Sequence, residues 1–152
     1  MTTVFKVDKP GNAEMTDAIK DLMMTQMNSL GVSVTEESLL LTIEQVLSLQ
    51  SNAEFFVAIK NDQVVGCAFL NKGIALDKGG AYIWLNDLYV RDNFRRQGIA
   101  RKLLLKILYW AEHNEFKGIE LETGVNNAAT KKLYNSLGFY DIISKRYGRT
   151  LS

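Results

Sequence analysis

The sequence predicts a mixed α/β (α+β) fold: one mostly antiparallel sheet with a single parallel βαβ unit at its centre and helices flanking it. Three observations predict this. The apolar runs Phe55–Lys60 and Gln63–Leu70 flank Asn61-Asp62, a hairpin turn signal. The long strand Tyr82–Val90 leads through the polar loop Arg91–Gln97 into a helix opened by Gly98. A further strand, Gly118–Gly124, follows that helix, and a strand–helix–strand connection is expected to be parallel and right-handed.

Each element has its own signal. Thr3–Val7 is a short strand, ended by Lys9-Pro10-Gly11. Asn12 caps the first helix, in which Met15, Ala18, Ile19, Leu22, Met23 and Met27 recur at helical spacing before Gly31 closes it. Ser33-Val34-Thr35-Glu36 reads as a capping box. Leu39, Leu40, Ile43, Val46 and Leu47 form one side of the helix that follows. In the hairpin, Gly66 marks a bulge or a close backbone approach. Cys67, inside the same strand, reads as a small buried apolar side chain. Asn71–Gly80, with three glycines, is expected to be a loop, and Ala81–Val90 the central strand. In helix Gly98–Asn114, residues Ala100, Leu103, Leu104, Ile107, Leu108 and Ala111 face the core, and His113 sits at the end. Asn126-Asn127 caps a short helix, Ala128–Leu137, stopped by Gly138. Phe139–Thr150 is expected to make one or two final strands.

Composition bounds the function. A chain of 152 residues, with no linker, repeat or low-complexity run, is expected to form a single domain over residues 1–152. Apolar content of 47% and charged content of 23% fit a globular protein. The opening MTTVFKVDKP lacks the apolar core of a signal peptide, and no apolar run approaches the roughly 18 residues of a membrane span. One cysteine allows no internal disulfide, so a cytoplasmic setting is expected. One His and one Cys far apart offer no metal-ligand spacing, so no metal is expected.

Charge is unevenly placed. Residues 1–62 hold four basic and nine acidic residues, whereas residues 63–152 hold fourteen and eight. Arg91–Lys106 alone carries Arg91, Arg95, Arg96, Arg101, Lys102 and Lys106 against one acid, Asp92. A strand that feeds a basic, Gly-containing loop into a helix presents backbone N–H groups and a positive dipole end, which suits a phosphate or pyrophosphate. A ligand is expected at the carboxyl ends of the diverging parallel strands, where this loop sits. The net charge of +1 and the acidic first half argue against a nucleic-acid partner. No Gly-x-x-x-x-Gly-Lys-Ser/Thr is present, which argues against a P-loop nucleotide enzyme.

Two motifs carry a resemblance. Arg95-Arg96-Gln97-Gly98-Ile99-Ala100 matches the Gln/Arg-x-x-Gly-x-Gly/Ala motif of GNAT superfamily acetyltransferases, and LNDLYV before it resembles that family's fourth strand. Asn127–Phe139 resembles the family's Asn-x-x-Ala-x-x-Leu-Tyr-x-x-x-Gly-Phe motif, with Thr130 where Ala is common. The combination is most similar to the branch acting on small amines and polyamines or on histone-like lysines.

The resemblance implies a GNAT-like acyl-CoA N-acyltransferase fold, acetyl-CoA as acetyl donor, and a small-molecule or peptide amine as acceptor. It implies that the backbone of Arg96, Gln97, Gly98, Ile99, Ala100 and Arg101 holds the pyrophosphate. Leu88, Tyr89 and Val90 would pair with the pantetheine arm, beside a bulge near Asn86-Asp87. Asn127 and Tyr134 would form the far wall near the sulfur. For charge contacts the side chains of Arg95, Arg96, Arg101 and Lys102 are the candidates. It also implies a homodimer formed through the final strands.

The chemistry narrows the catalytic residues. An alkyl ammonium has a pKa of about 10.4, so direct transfer needs a group to take its proton. Asp87, the only carboxylate on the central strand, is the candidate base or substrate anchor, and Glu122 is a second carboxylate able to act through water. A backbone N–H near Tyr89 or Val90 could stabilise the oxyanion. Tyr134 could hydrogen-bond the leaving thiolate, then protonate it. In the family the first two helices help build the acceptor site, and Glu14, Asp17, Asp21, Glu36, Glu37 and Glu44 there favour a cationic acceptor. Tyr82, Trp84, Tyr89, Phe139 and Tyr140 could line an amine pocket, and core packing explains them equally well. The alternative to an enzyme is a non-catalytic module that binds acetyl-CoA and regulates a partner.

Overall fold

The computed structural model describes residues 1–123 and 128–151. Its elements are β1 (Thr3–Lys6), α1 (Ala13–Ser29), α2 (Glu36–Val46), β2 (Ala53–Lys60), β3 (Gln63–Ala75), β4 (Gly80–Val90), a 3-10 turn (Asp92–Phe94), α3 (Ile99–His113), β5 (Ile119–Leu121) and α4 (Ala128–Ser136). They fall in two compact units, Met1–Glu122 and Thr123–Ser152.

In the first unit the sheet order is β1-β2-β3-β4-β5. Neighbours are antiparallel except β4 and β5, which run parallel with Ile83 opposite Ile119 and Leu85 opposite Leu121. This is the mixed, mostly antiparallel sheet with one parallel pair that the order of elements predicts.

The helices form where their caps require. Asn12 accepts the Met15 N–H at 2.7 Å, and Thr35, rather than Ser33 of the expected capping box, accepts the Ser38 N–H at 3.1 Å, each satisfying a donor that the helix leaves over. On one face of the sheet, Ile19, Leu22 and Met23 of α1 and Leu39 and Ile43 of α2 pack with Phe55, Val57, Cys67 and Tyr89. Each such side chain removed from water contributes about 1.5–3 kcal/mol. α3 packs against β1–β4, and its Trp110 meets Phe56 edge-on at 5.4 Å. Leu103, Leu104 and Ile107 of α3 are fully buried.

Three expectations give way. Asn71–Gly80 is mostly ladder, not loop: Lys72, Gly73 and Ile74 pair with Ile83, Tyr82 and Ala81. Glycine there serves packing, since a Cβ on Gly73 would lie 3.1 Å from the Tyr82 ring. In the second unit no strand occurs among the described residues 139–151. Tyr140, Ile142, Ile143 and Tyr147 are exposed there. Strand propensity describes fit to a paired, half-buried surface, and residues with no ladder neighbour do not express it. The Gly118–Gly124 strand shortens to Ile119–Leu121, and Gly124 lies outside the described residues.

Candidate active site

The register of β3 and β4 carries one irregularity that shapes the site. Leu70 faces Leu85 and Phe69 faces Asp87, so Asn86 is the extra residue of a bulge. The expected bulge at Asn86-Asp87 is therefore present. Asn71 Nδ2 donates to Asn86 Oδ1 at 2.8 Å and braces it.

Asp87 shares a face with Phe69 and Tyr89, the face covered by α1 and α2. It is half-buried, and burial pushes its carboxyl above the ordinary value of 3.8. Two register pairs extend the same face: Asn71 with Trp84, and Gly73 with Tyr82. Cys67 is fully buried, with its Sγ 3.3 Å from Met23 Sδ. Burial, then the nearby Asp87 charge, push its thiol up to about 12. It is a packed thiol and no nucleophile.

Past Val90 the chain turns through a tied loop. The Arg91 N–H donates to the Val65 carbonyl at 2.8 Å and Arg91 Nε to the Val64 carbonyl at 3.2 Å. Arg95 Nε donates to the Val90 carbonyl at 3.0 Å, its Nη1 lies 2.8 Å from Asp92, and its guanidinium stands over the Tyr89 ring at 5.5 Å. Arg95 thus holds the loop with its side chain. Arg96 (φ 63°) and Gly98 (φ 76°) both adopt left-handed backbone, a conformation that turns successive N–H groups toward one side. Gln97, between them, is exposed.

α3 starts with no side-chain cap. Its first bond runs from the Lys102 N–H to the Gly98 carbonyl at 3.0 Å. The N–H groups of Ile99 and Ala100 thus have no acceptor within the helix. Arg96, Arg101 and Lys102 are exposed around this end. The donor set fits an anion such as a pyrophosphate. Leu88 is half-buried, and Tyr89 and Val90 are buried.

Glu122 and Tyr134 belong to other parts of the chain order. Glu122 is exposed, just past the end of β5. Tyr134 belongs to α4 of the second unit, where its ring meets Phe139 edge-on at 5.5 Å. Burial pushes its hydroxyl above the ordinary value of 10. Asn127 lies outside the described residues. Among the described residues, no group of three His, Cys, Asp or Glu lies together as a metal site.

The acids of α1 and α2 are not all open to a ligand. Lys20 Nζ lies 2.5 Å from Glu36, 3.0 Å from Asp21 and 3.2 Å from Asp17. Hydrogen bonds to Glu36 first, then Asp21, hold its ammonium above its ordinary range. Half of the six acids read as favouring a cationic acceptor are therefore shared with the chain's own cation.

The Acetyltransferase (GNAT) family model matches residues 17–139. The chain belongs to this acetyltransferase family. An IAA acetyltransferase of Azospirillum brasilense is 33% identical over 129 residues, covering 82% of this chain and 78% of that protein. An N-acetylaspartate synthetase of Xenopus tropicalis is 36% identical over 97 residues, 64% of this chain, and the match takes in 34% of that protein's length. Among solved structures, a probable acetyltransferase superposes with a TM-score of 0.85 at 23% identity, covering 99% of this chain and 98% of that one. An aminoglycoside N-acetyltransferase in complex with CoA superposes with a TM-score of 0.80 at 15% identity, covering 99% and 95%. These likenesses agree with the fold of this GNAT chain.

Proposed function

We propose that this GNAT chain transfers the acetyl group of acetyl-CoA directly to a primary amine, carried by a cationic small molecule or a lysine side chain. One observation supports this above the rest: the uncapped, left-handed loop at the start of α3 stands directly after the strand whose bulge presents Asp87. The first feature suits an anionic donor, and the second offers a carboxylate to an amine. In this reading residues 1–152 act as one acetyltransferase domain. The family match over residues 17–139 spans both compact units and supports it.

The roles follow from chemistry. Backbone groups from Arg96 to Arg101 hold the pyrophosphate, and Leu88–Val90 offer backbone partners to the pantetheine arm. Bound acetyl-CoA supplies an activated acyl carbon and a thiolate leaving group. Asp87 takes the acceptor's proton or anchors its ammonium, with Glu122 acting through water as the other candidate base. Burial favours the protonated form of Tyr134, so its hydroxyl donates to developing charge on sulfur. Trp84 and Tyr82, on the Asp87 face, give the acceptor an aromatic surface. The exposed Tyr140, Ile142, Ile143 and Tyr147 suit a homodimer contact, which light scattering on the eluting protein would check.

A thiol-release assay with acetyl-CoA tests the function against spermidine, diamines, aminoglycosides, amino acids and lysine peptides. Turnover on one class is expected. Binding of acetyl-CoA without turnover on any class would turn the reading to the non-catalytic regulatory module.

A further inference from the structure

The hairpin of β2 and β3 lies directly against the loop just described. β2 and β4 run in the same direction, two strands apart, so their carboxyl ends reach the same edge of the sheet. Three features draw that edge together. Arg91 is bonded to the carbonyls of Val64 and Val65 on β3. At Gly66 a Cβ would meet the Tyr89 carbonyl at 3.1 Å and Ile99 Cγ2 at 3.4 Å, so its bare backbone lets β4 and the first residue of α3 close onto β3. Asn61 and Asp62 both take left-handed backbone (φ 53° and 58°), which makes the tight hairpin turn that puts Lys60 opposite Gln63.

The outcome is a contact 37 residues apart in sequence: Lys60 Nζ donates to Gln97 Oε1 at 2.6 Å. Gln97 sits between the two left-handed residues of the anion loop. Its amide is neutral, so it holds the ammonium without cancelling the charge. Among the described residues no carboxylate lies within ion-pair distance of Lys60. An ammonium has three donors, and Gln97 takes one of them. A partly covered lysine at the edge of an anion-binding loop, tethered by a neutral side chain, is placed to meet charge that the loop receives.

We propose that Lys60 is a cofactor-binding residue, supplying from the β2–β3 hairpin a positive charge to the pyrophosphate of acetyl-CoA. The inference rests on the reading that this loop holds that pyrophosphate. It assigns a cation that the sequence motif, confined to β4 and α3, does not contain. Gln97 gains a role too: its side chain aims the hairpin's lysine at the loop while its backbone belongs to the loop itself.

Calorimetric titration of the whole chain with CoA and with 3′-dephospho-CoA tests this without any acceptor. Lys60→Met is expected to weaken both ligands about ten-fold, the scale of one lost charge-assisted hydrogen bond. Lys60→Arg is expected to recover most of the loss. The slope of log Kd against log salt should fall in Lys60→Met and stay in Lys60→Arg. The unliganded melting temperature should hold in both, since Lys60 is not part of the core. Wild-type binding with an unchanged Kd in Lys60→Met would overturn the assignment of Lys60 alone. A loss confined to CoA and absent with 3′-dephospho-CoA would also overturn it, by moving the contact to the 3′-phosphate. Failure of the wild type to bind either ligand would overturn the acetyl-CoA reading and this inference together.

Discussion

Asp87 has two consequences that separate cleanly. Burial raises its pKa in the folded chain above the unfolded value of 3.8. Folding then binds the proton more tightly, so stability is fully present below the unfolded pKa and falls as pH rises through the folded one. Asp87→Asn removes that slope. The variant should melt higher than wild type near neutral pH, with the difference vanishing below about pH 3.8 in a series of thermal scans. Its kcat should fall roughly 100-fold or more if the carboxylate takes the proton. A retained kcat with raised acceptor KM would mark Asp87 as an anchor instead. Tyr134→Phe keeps the ring against Phe139 and removes only the hydroxyl. It should lower kcat while leaving the KM for acetyl-CoA within about two-fold, since the hydroxyl is assigned to charge that develops on sulfur.

At the scale of elements, the junction of β4 and α3 decides cofactor binding. Gly98 holds φ 76°, and a Cβ added there would meet nothing within 4 Å. Its cost in Gly98→Ala is therefore conformational alone, about 1 kcal/mol. That variant should lose a few degrees of melting temperature and bind CoA more weakly, since relaxation of φ turns the loop's N–H groups away. Much of this junction was legible beforehand. An apolar run, a basic loop and a glycine before a 3.6-residue pattern are local signals, and the αL glycine is where the motif puts it. The length of β3 was not legible. Gly73, Gly79 and Gly80 read as loop, yet Gly73 is required by the Tyr82 ring across the ladder, a contact no local window holds. Lys60 beside Gln97 was hidden for the same reason. Each residue carries a plain local meaning, and only the sheet order brings their strand ends together. The strand character of residues 139–150 was visible, but strands need partners, and none pairs there among the described residues.

Across the whole first unit, charge is organised differently from what the sequence totals suggest. By sequence, the acids of the first two helices read as negative potential for a cationic acceptor. Instead Asp17, Asp21 and Glu36 surround Lys20, whose side chain is only 8% exposed although each carboxylate is more than half exposed. Three acids around one cation leave a local excess of negative charge, steadied by the ammonium at their centre. Lys20 has its pKa raised by these partners, so its contribution to stability is complete below its unfolded value of 10.5 and is lost only as pH rises through the higher folded value. Lys20→Met should thus destabilise the chain at neutral pH, because three carboxylates would repel one another across the α1–α2 junction with nothing between them. Added salt screens that repulsion, and it also weakens the ion pairs that distinguish wild type. The melting-temperature gap between Lys20→Met and wild type should therefore be widest at low ionic strength and narrow as salt is raised. A gap constant across the salt series would mean that Lys20 stabilises through the packing of its methylenes rather than its charge.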